Sequence, residues 1–294
     1  MRKKRLIAIV GATGAGKTDW SLDVAEKVGG EIVSADSRQI YRGMDIGTAK
    51  VQDARGIPHY LIDIREPNEP LTLAEWQMMA FEEIDEIMDR GKIPVLVGGT
   101  MLYIDSVVRN YDIPEVPPDP AFRERKQKIE NRKLYKELLE QDPEAKAFIE
   151  PHHKQRIIRA LEVMAATGKR ISALRQAQGK QEPKYEVKMI GLFPGWDKLR
   201  ERIEARAKWM IENGLLEETK RLRETLTPGP SPSSGRGESL LNTMNYRQAG
   251  EVLDGKMAKR EAVDSMAREN MRYARRQMSW WKGREEIEWV TTPS

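Results

Sequence analysis

The sequence contains no cysteine and no long apolar run, and only 6% of its residues are aromatic. The absence of cysteine excludes disulfide bonds and thiolate metal sites, and it is typical of a reducing compartment. No apolar stretch approaches the ~20 residues that a membrane-spanning helix needs, and the basic start of the chain leads only into a strand-length run. We therefore expect a cytoplasmic protein with no membrane partner.

The 294 residues are 39% hydrophobic and 33% charged, which is ordinary for a globular protein. A chain of this length can bury one large core or two smaller ones, so we expect it to fold without a partner and to act as a monomer. The formal net charge is only +4. Attraction to an acidic partner would therefore depend on how the basic residues are distributed.

The strongest local motif follows the first apolar run, Leu-Ile-Ala-Ile-Val at 6–10. The next segment fits the pattern G-x-x-x-x-G-K-[ST] of a loop that binds a diphosphate or triphosphate group. Its backbone N–H groups can turn towards phosphate oxygens, Lys17 adds a positive charge, and the Thr18 hydroxyl is suited to ligate Mg²⁺ at a helix N-terminus. The predicted phosphate-binding residues are Gly11, Ala12, Thr13, Gly14, Ala15, Gly16, Lys17 and Thr18.

The N-terminal part of the sequence alternates strand-like and helix-like segments. Strands are predicted at 5–10, 31–35, 59–64 and 93–97, and further along the chain at 186–193 and 286–290. Helices are predicted to begin near Lys17, at Thr72 and after Gly98-Gly99-Thr100. This βαβα rhythm predicts an α/β fold: a P-loop NTPase-like, mostly parallel sheet flanked by helices.

The rhythm changes in the middle of the chain. Four prolines between 114 and 120 form a stiff connection, and the residues up to about 184 lack clear strands. We predict an inserted all-helical domain at 114–184, within a core formed by 1–113 and 185–294. The segment 227–237, rich in Pro, Gly and Ser, is predicted to be an exposed flexible loop.

A phosphate loop alone leaves several functions open. Kinases and nucleotide hydrolases are its commonest users, and in an ATP-dependent phosphotransferase Asp36 would activate a hydroxyl group. A nucleotide-gated RNA-binding regulator without catalytic activity is a further possibility.

Other segments narrow the choice. Residues 34–50 and 97–103 closely resemble two signatures of tRNA dimethylallyltransferases, and 155–163 and 202–206 are similar to further elements of that family. Residues 274–281, Ala-Arg-Arg-Gln-Met-Ser-Trp-Trp, look like its C-terminal basic-aromatic helix. The resemblance covers nearly the whole chain. It implies transfer of a dimethylallyl group from dimethylallyl diphosphate to N6 of adenosine 37 in the anticodon loop of tRNA, with Mg²⁺ as cofactor.

The resemblance also assigns catalytic roles. It makes Asp36 the general base or the group that orients N6, places the Thr100 hydroxyl near the adenine, and brings Arg206 to the diphosphate. Asp36 follows the second predicted strand, at the sheet edge where ligands bind in open α/β folds. Each residue also has an ordinary structural interpretation. Asp36 could cap a helix or bind Mg²⁺, Thr100 could be an N-cap, and Arg206 could lie on a solvated helix face.

An adenine must leave its stack to reach a buried site, so tRNA-binding residues are needed around the pocket. The C-terminal helix is basic and carries interleaved Tyr and Trp, as nucleic-acid-binding faces do. The family pattern implies contacts with the anticodon stem-loop from Asp36, Ser37, Arg38, Gln39, Thr100, Arg123, Gln155, Arg156, Ile157, Ile158, Arg159, Tyr246, Arg247, Arg275 and Arg276.

Two positions depart from the family pattern. The chain has His-His-Lys at 152–154, where the family often has Asn or Asp ahead of the Gln-Arg element. The family usually has glycine before the Tyr-Arg or Tyr-Lys pair, but here Asn245 precedes Tyr246 and Arg247. Asparagine tolerates a positive φ better than other non-glycine residues, so we predict that the turn survives. An adenylate isopentenyltransferase, which acts on free nucleotide, remains the nearest alternative, although it needs neither the helical insertion nor the basic C-terminal helix.

Overall fold

The computed structural model describes residues 4–177, 181–226 and 240–291. The segment 227–237, predicted to be a loop, lies outside the described residues. Within the described ranges, none of the helices has both the length and the apolar composition needed to cross a membrane.

Six parallel strands form one sheet in the order β3-β2-β4-β1-β5-β6. Their bounds are β1 Arg5–Gly11, β2 Gly30–Ser34, β3 His59–Tyr60, β4 Ile93–Val97, β5 Glu186–Leu192 and β6 Ile287–Val290. The central strands are apolar and buried, as expected when helices cover both faces of a parallel sheet. The predicted α/β fold with a parallel sheet is confirmed.

The helices connect and cover these strands. Their bounds are α1 Lys17–Val28, α2 Leu73–Asp89, α3 Met101–Val108, α4 Pro120–Gln127, α5 Asn131–Gln141, α6 Lys154–Thr167, α7 Ile171–Ala177, α8 Trp196–Glu212, α9 Leu215–Thr225, α10 Tyr246–Leu253 and α11 Lys259–Trp281. A short 3₁₀ helix occupies Pro143–Ala147. The sequence also predicts a helix at 197–213 that ends at Gly214. Helix α8 matches this prediction, and Gly214 has φ 105°.

The third predicted strand is shorter than expected. The sequence 59–64 was predicted to be one strand, but β3 contains only His59 and Tyr60. Leu61 has φ 63° and Asp63 has φ 56°, and this left-handed backbone cannot continue a strand. The prediction was wrong beyond Tyr60 because the apolar pattern of the segment carries no signal for these two turns.

The sheet core lies between the strands and two of the covering helices. Ile9, Ile32, Val95 and Leu192 come from four strands, and all are at most 1% exposed. Side chains of α1 and α8 pack against them, including Leu22, Ala25, Leu199 and Ile203. This packing fixes the loop between β1 and α1 against α8, and so determines which α8 side chains reach it.

The chain divides into two compact units. The first takes in Met1–Leu71, Trp76–Val108 and Lys184–Ser294 and contains the sheet; the second takes in Thr72–Glu75 and Arg109–Pro183. Among the described residues of the 109–183 stretch, the regular secondary structure is entirely helical. This helical unit has its own core, with Leu134 and Leu138 of α5 packed on Ile157 and Leu161 of α6.

Candidate active site

The phosphate-binding motif forms a tight loop from β1 into α1. Gly11 has φ 141°, and a Cβ there would lie 2.4 Å from the Leu192 carbonyl oxygen, so only glycine fits. Lys17 Nζ donates to the carbonyl oxygens of Gly11 at 3.2 Å and Ala12 at 2.8 Å. Lys17 is therefore held by two neutral carbonyl oxygens of its own loop, and the oxygens of a bound anion can replace them as hydrogen-bond acceptors.

Asp36 and Thr100 lie on neighbouring loops, after β2 and β4. The Asp36 carboxylate accepts from the Arg38 backbone N–H at 2.9 Å, which fixes its orientation. Thr100 Oγ1 accepts from the Ser37 backbone N–H at 2.9 Å and donates to Ser37 Oγ at 3.1 Å. Thr100 precedes α3, as an N-cap would, but its hydroxyl joins the two loops through these contacts with Ser37.

Arg206 reaches the phosphate loop from α8. Its Nη2 donates to Thr13 Oγ1 at 2.9 Å and to Asn270 Oδ1 at 3.2 Å. Arg202, one turn earlier, donates to the Ala15 carbonyl oxygen at 3.4 Å. Arg206 is thus aimed at the loop rather than at solvent, and both of these acceptors are neutral groups.

Helix α11 closes the other side of the site. Tyr273 Oη and Gln277 Nε2 both donate to the Gly99 carbonyl oxygen, at 2.7 and 2.8 Å. Gln277 Oε1 accepts from the Thr13 backbone N–H at 2.7 Å. One buried amide therefore joins the phosphate loop to the loop after β4. The motif resemblance included Gln277 in the C-terminal helix, but no sequence signal indicated that it points into the site.

These groups surround a cavity of about 600 Å³, within the size range of small-molecule sites. It lies at the carboxyl ends of β1, β2 and β4, where ligands bind in open α/β folds. Its lining includes Lys17, Thr18, Asp36, Arg202, Arg206 and Tyr273. The structure thus brings together the phosphate loop, Asp36 and Arg206, with Thr100 beside them through Ser37.

Burial perturbs the ionisable groups of this cavity. It lowers the pKa of Lys17 to about 8; the Asp36 charge opposes this shift, and the Arg206 charge adds to it. Burial also lowers the pKa of Arg206, again opposed by Asp36. Burial and the nearby Asp36 charge raise the pKa of Tyr273 to about 12. Such perturbed groups gathered in one cleft are typical of functional sites.

The predicted Mg²⁺ ligand lies on the first turn of α1. Thr18 is exposed and lines the cavity, as do the carboxylates of Asp19, Asp23 and Asp36. Mg²⁺ prefers oxygen ligands and usually keeps several waters while it binds substrate phosphates. A hydroxyl beside a phosphate loop, with carboxylates in the same cavity, fits that preference.

Several predicted tRNA-binding residues of the first unit are exposed. Arg38 follows Asp36, while Arg275 and Arg276 lie on the solvent-facing side of α11. The Arg276 guanidinium lies 5.6 Å from the centre of the Tyr273 ring. Gln39 instead turns inwards and donates to the carbonyl oxygens of Thr48 and Ala49, at 3.2 and 3.3 Å.

The turn before α10 keeps its predicted geometry. Asn245 has φ 73°, which confirms that asparagine replaces glycine there with a positive φ. Tyr246 is only 1% exposed, and its hydroxyl donates to Glu218 at 2.6 Å. Its side chain therefore belongs to the core and offers no surface to tRNA in this structure. Arg247 is bonded to Glu251 at 3.3 Å and to Glu269.

Only some of the predicted tRNA-binding residues of the helical unit are exposed. Gln155 and Arg156 are exposed on α6, whereas Ile157 and Ile158 are buried in the helical core. Arg123 Nη2 and Arg159 Nη1 each donate at 2.6 Å to the buried carboxylate of Glu162. Burial acts to raise the pKa of Glu162, but the hydrogen bonds from the two arginines lower it overall.

Comparison with known proteins decides the family. The model of the IPP transferase family matches residues 39–284. The chain belongs to this family. A tRNA dimethylallyltransferase of Bacillus velezensis is 40% identical over 295 residues, with 98% of this chain and 91% of the relative covered. The Bacillus subtilis member is 39% identical over 293 residues, covering 98% and 90%.

Solved structures of the family agree. A tRNA isopentenylpyrophosphate transferase from Bacillus halodurans has a TM-score of 0.69 at 36% identity, covering 98% of this chain and 90% of the other. A eukaryotic dimethylallyltransferase acting on tRNA has a TM-score of 0.82 at 26% identity, covering 98% and 73%. Members of the IPP transferase family thus share the architecture described above over almost the full length of this chain.

Proposed function

We propose that this chain transfers a dimethylallyl group from dimethylallyl diphosphate to N6 of adenosine 37 in the anticodon loop of tRNA. Family membership supports the reaction class, because the relatives are named tRNA dimethylallyltransferases. The observation that carries the proposal is that the phosphate loop, two arginines and the oriented carboxylate of Asp36 line the same cavity. This arrangement serves a reaction with an anionic leaving group and a nucleophile that must lose a proton. A tRNA substrate also favours the cytoplasm as its place of action.

The phosphate loop, Lys17 and Arg206 would hold the diphosphate. In the reaction, adenine N6 attacks C1 of the donor, the C1–O bond breaks, and pyrophosphate leaves with the bonding electron pair. Negative charge then grows on the leaving oxygen, so positive groups fixed beside it stabilise the transition state. Lys17 can exchange its bonds to Gly11 and Ala12 for phosphate oxygens without breaking an ion pair.

The Thr18 hydroxyl would be the protein ligand of Mg²⁺, with the diphosphate supplying further oxygens. When bound, Mg²⁺ would neutralise part of the charge of the leaving group. Thr18 therefore has a binding role that is separate from the proton transfer.

Asp36 would accept or orient the N6 proton. The lone pair of an exocyclic adenine amine is delocalised into the ring, so the amine becomes a better nucleophile as its proton is drawn away. The Arg38 N–H bond fixes Asp36 Oδ1, while Oδ2 lies near Gly99, where a Cβ would be 3.4 Å from it. Thr100 would support this position through Ser37 and contact the adenine.

The tRNA would be held by the exposed basic side chains of Arg38, Arg275 and Arg276, and by Gln155 and Arg156 of the helical unit. Arginine next to an aromatic ring, as in Arg276 with Tyr273, suits phosphate and base contacts. Arg123, Arg159 and Arg247 would need to exchange a carboxylate partner for a phosphate oxygen.

The test is direct product analysis. The purified protein is incubated with Mg²⁺, dimethylallyl diphosphate and an unmodified tRNA whose loop reads A36-A37-A38, and the digested RNA is examined by mass spectrometry for N6-dimethylallyladenosine. We expect product from the wild type, and none from Asp36→Asn although its tRNA affinity is retained. Prenylated AMP formed from free AMP in place of modified tRNA would instead indicate an adenylate isopentenyltransferase.

Asp53→Asn is the matched control for Asp36→Asn. Asp53 also accepts a hydrogen bond from the backbone N–H two residues later, at 2.8 Å, but it is exposed and does not line the cavity. Full activity in Asp53→Asn would assign the loss in Asp36→Asn to the site. Equal losses in both variants would point to the turn geometry instead.

A further inference from the structure

A series of buried amides joins the turn before α10 to Arg206. Asn245 Nδ2 donates to the Gly47 carbonyl oxygen at 2.8 Å, and Asn245 Oδ1 accepts from Asn270 Nδ2 at 3.0 Å. Asn270 Oδ1 accepts from Arg206 Nη2 at 3.2 Å, and Arg206 donates in turn to Thr13 of the phosphate loop at 2.9 Å. Asn245 and Asn270 are each only 6% exposed. We call Gly47, Asn245, Asn270 and Arg206 the amide relay.

The direction of every bond in the amide relay is fixed by its two ends. A backbone carbonyl oxygen can only accept, so Asn245 must turn its NH₂ group towards Gly47. Its oxygen then faces Asn270, which must present its own NH₂ group there. The Asn270 oxygen is left for Arg206, and a guanidinium can only donate. Rotating either amide by 180° would place a donor opposite a donor and an acceptor opposite an acceptor.

The Gly47 end of the amide relay is itself rigid. The buried Glu218 carboxylate accepts from the backbone N–H groups of Ile46 at 2.8 Å and Gly47 at 3.0 Å, and from the Tyr246 hydroxyl at 2.6 Å. A Cβ on Gly47 would lie 2.4 Å from the Tyr246 ring, so the backbone there is tightly packed. The Gly47 carbonyl therefore gives the relay a fixed starting point.

We infer that Asn245 is a positioning residue for Arg206, acting through Asn270 to hold the guanidinium at the phosphate loop with its full charge free for the diphosphate. The inference rests on the role proposed for Arg206. A carboxylate at position 270 would hold the arginine more strongly, but it would neutralise the charge that the leaving group needs. The neutral amides orient Arg206 without competing with an anion.

The test replaces Asn245 with glycine. Glycine adopts φ 73° without strain, so Asn245→Gly removes the amide and keeps the turn. Asn270 Nδ2 then keeps only its bond to the Met266 carbonyl oxygen, at 2.8 Å within its own helix, so the amide that accepts from Arg206 is held by one hydrogen bond instead of two. We expect the affinity for inorganic pyrophosphate with Mg²⁺, measured by calorimetry, to fall about 2- to 5-fold, as weakening of one charge-assisted hydrogen bond predicts. The KM for dimethylallyl diphosphate should rise similarly, while the KM for tRNA stays unchanged.

A merely structural role gives a different result. Asn245 precedes α10, so a general loosening of that turn would raise the KM for tRNA through Arg247 and leave pyrophosphate binding intact. That pattern, or unchanged pyrophosphate affinity in a folded Asn245→Gly protein, would overturn the inference. Asn270→Ala is the second variant: it removes the acceptor of Arg206 itself and should weaken pyrophosphate binding at least as much, and adding Asn245→Gly to it should have no further effect. Additive losses would contradict the amide relay.

The assay separates this inference from the proposed function. Pyrophosphate binding needs no prenyl transfer, so it can be measured in a protein that modifies no tRNA. A wild type that binds pyrophosphate but forms no product would reject the proposed reaction and leave the amide relay testable. Asn213→Gly is the matched control, because Asn213 is an exposed asparagine at the end of α8 whose side chain contacts only its own helix among the described hydrogen bonds.

Discussion

Basic side chains are held in different ways at the sheet edge and in the helical unit. At the sheet edge, Arg206 donates to a hydroxyl oxygen and an amide oxygen, and Lys17 donates to two backbone carbonyl oxygens. In the helical unit, Arg123 and Arg159 share the buried carboxylate of Glu162. The first arrangement fixes cations without cancelling their charge, whereas the second pairs them with an opposite charge.

This difference indicates that the basic residues at the sheet edge serve substrate binding, whereas those paired with Glu162 stabilise the fold. A cation held by neutral groups meets an arriving diphosphate with its attraction intact, because no ion pair must break first. A cation paired with a buried carboxylate instead joins α4 to α6 and contributes to the stability of the helical unit. We expect changes at the sheet edge to act on substrate, and changes at Glu162 to act on unfolding.

Among the variants that test this comparison, Lys17→Ala should have the largest effect. It removes the positive group that the phosphate loop holds, so we expect the rate of tRNA modification to fall about 10²- to 10³-fold, as when one preorganised donor is lost from a transition state. Single-turnover kinetics with saturating tRNA measure this loss. Lys27→Ala, an exposed lysine on the same helix, should retain full activity. A modest loss that excess dimethylallyl diphosphate restores would contradict a role of Lys17 in the chemical step.

Glu162→Gln should act on stability instead. It leaves Arg123 and Arg159 without their buried carboxylate, and we expect the free energy of unfolding to fall by about 2–3 kcal/mol; this is below the value for a fully buried pair because both arginines are partly exposed. Urea unfolding followed by circular dichroism measures it. Glu124→Gln removes an exposed partner of Lys128 and should cause no measurable change. Unchanged stability in Glu162→Gln would show that the two arginines are not structural.

The pH dependence of pyrophosphate binding should show whether the protonated form of Lys17 contributes to the affinity. Its pKa in the free protein is about 8, so the lysine loses its proton as the pH rises through that value. The anion binds the protonated form. Pyrophosphate affinity should therefore be highest below pH 8 and should fall towards tenfold per pH unit above it. Calorimetry between pH 7 and pH 9.5 tests this, and Lys17→Ala should lose that part of the pH dependence.

The smallest effect should come from the exposed face of α11. Arg276→Gln removes one cation next to Tyr273, and we expect the tRNA affinity to fall about 3- to 5-fold, with the slope of log affinity against log salt reduced by about one. Filter binding at several salt concentrations measures both quantities. Arg221→Gln, on the exposed side of α9, is the control. An unchanged slope would remove Arg276 from the tRNA contacts.

Local patterns in the sequence predicted much of the fold. The apolar run before the phosphate motif and the glycines within it specify strand, loop and helix over a short stretch, and β1 and α1 match that prediction. Strand β6 was also predicted. The segment after Tyr60 was not, because positive φ angles at Leu61 and Asp63 depend on contacts that the apolar pattern does not encode.

The candidate site was predictable only in part. Lys17, Thr18, Asp36 and Arg206 lie in motifs, and their roles remain predictions. The groups that position them could not be found in this way: Asn270 is an unremarkable asparagine in a helical pattern, and its partners Asn245 and Arg206 are 25 and 64 residues away. A buried hydrogen bond of this kind is a property of tertiary packing, which residue spacing along the chain does not report.

The contacts of Gln277 have a consequence for how this protein is made. Its amide joins Thr13 and Gly99, and the separation from Thr13 is 264 residues, so the last long helix completes a loop that was synthesised first. During translation, the phosphate loop is synthesised long before Gln277, and contacts between residues far apart in the sequence are slow to form. A ribosome-bound chain that ends before α11 would therefore carry the phosphate-binding motif without the Gln277 bonds that join Thr13 to Gly99.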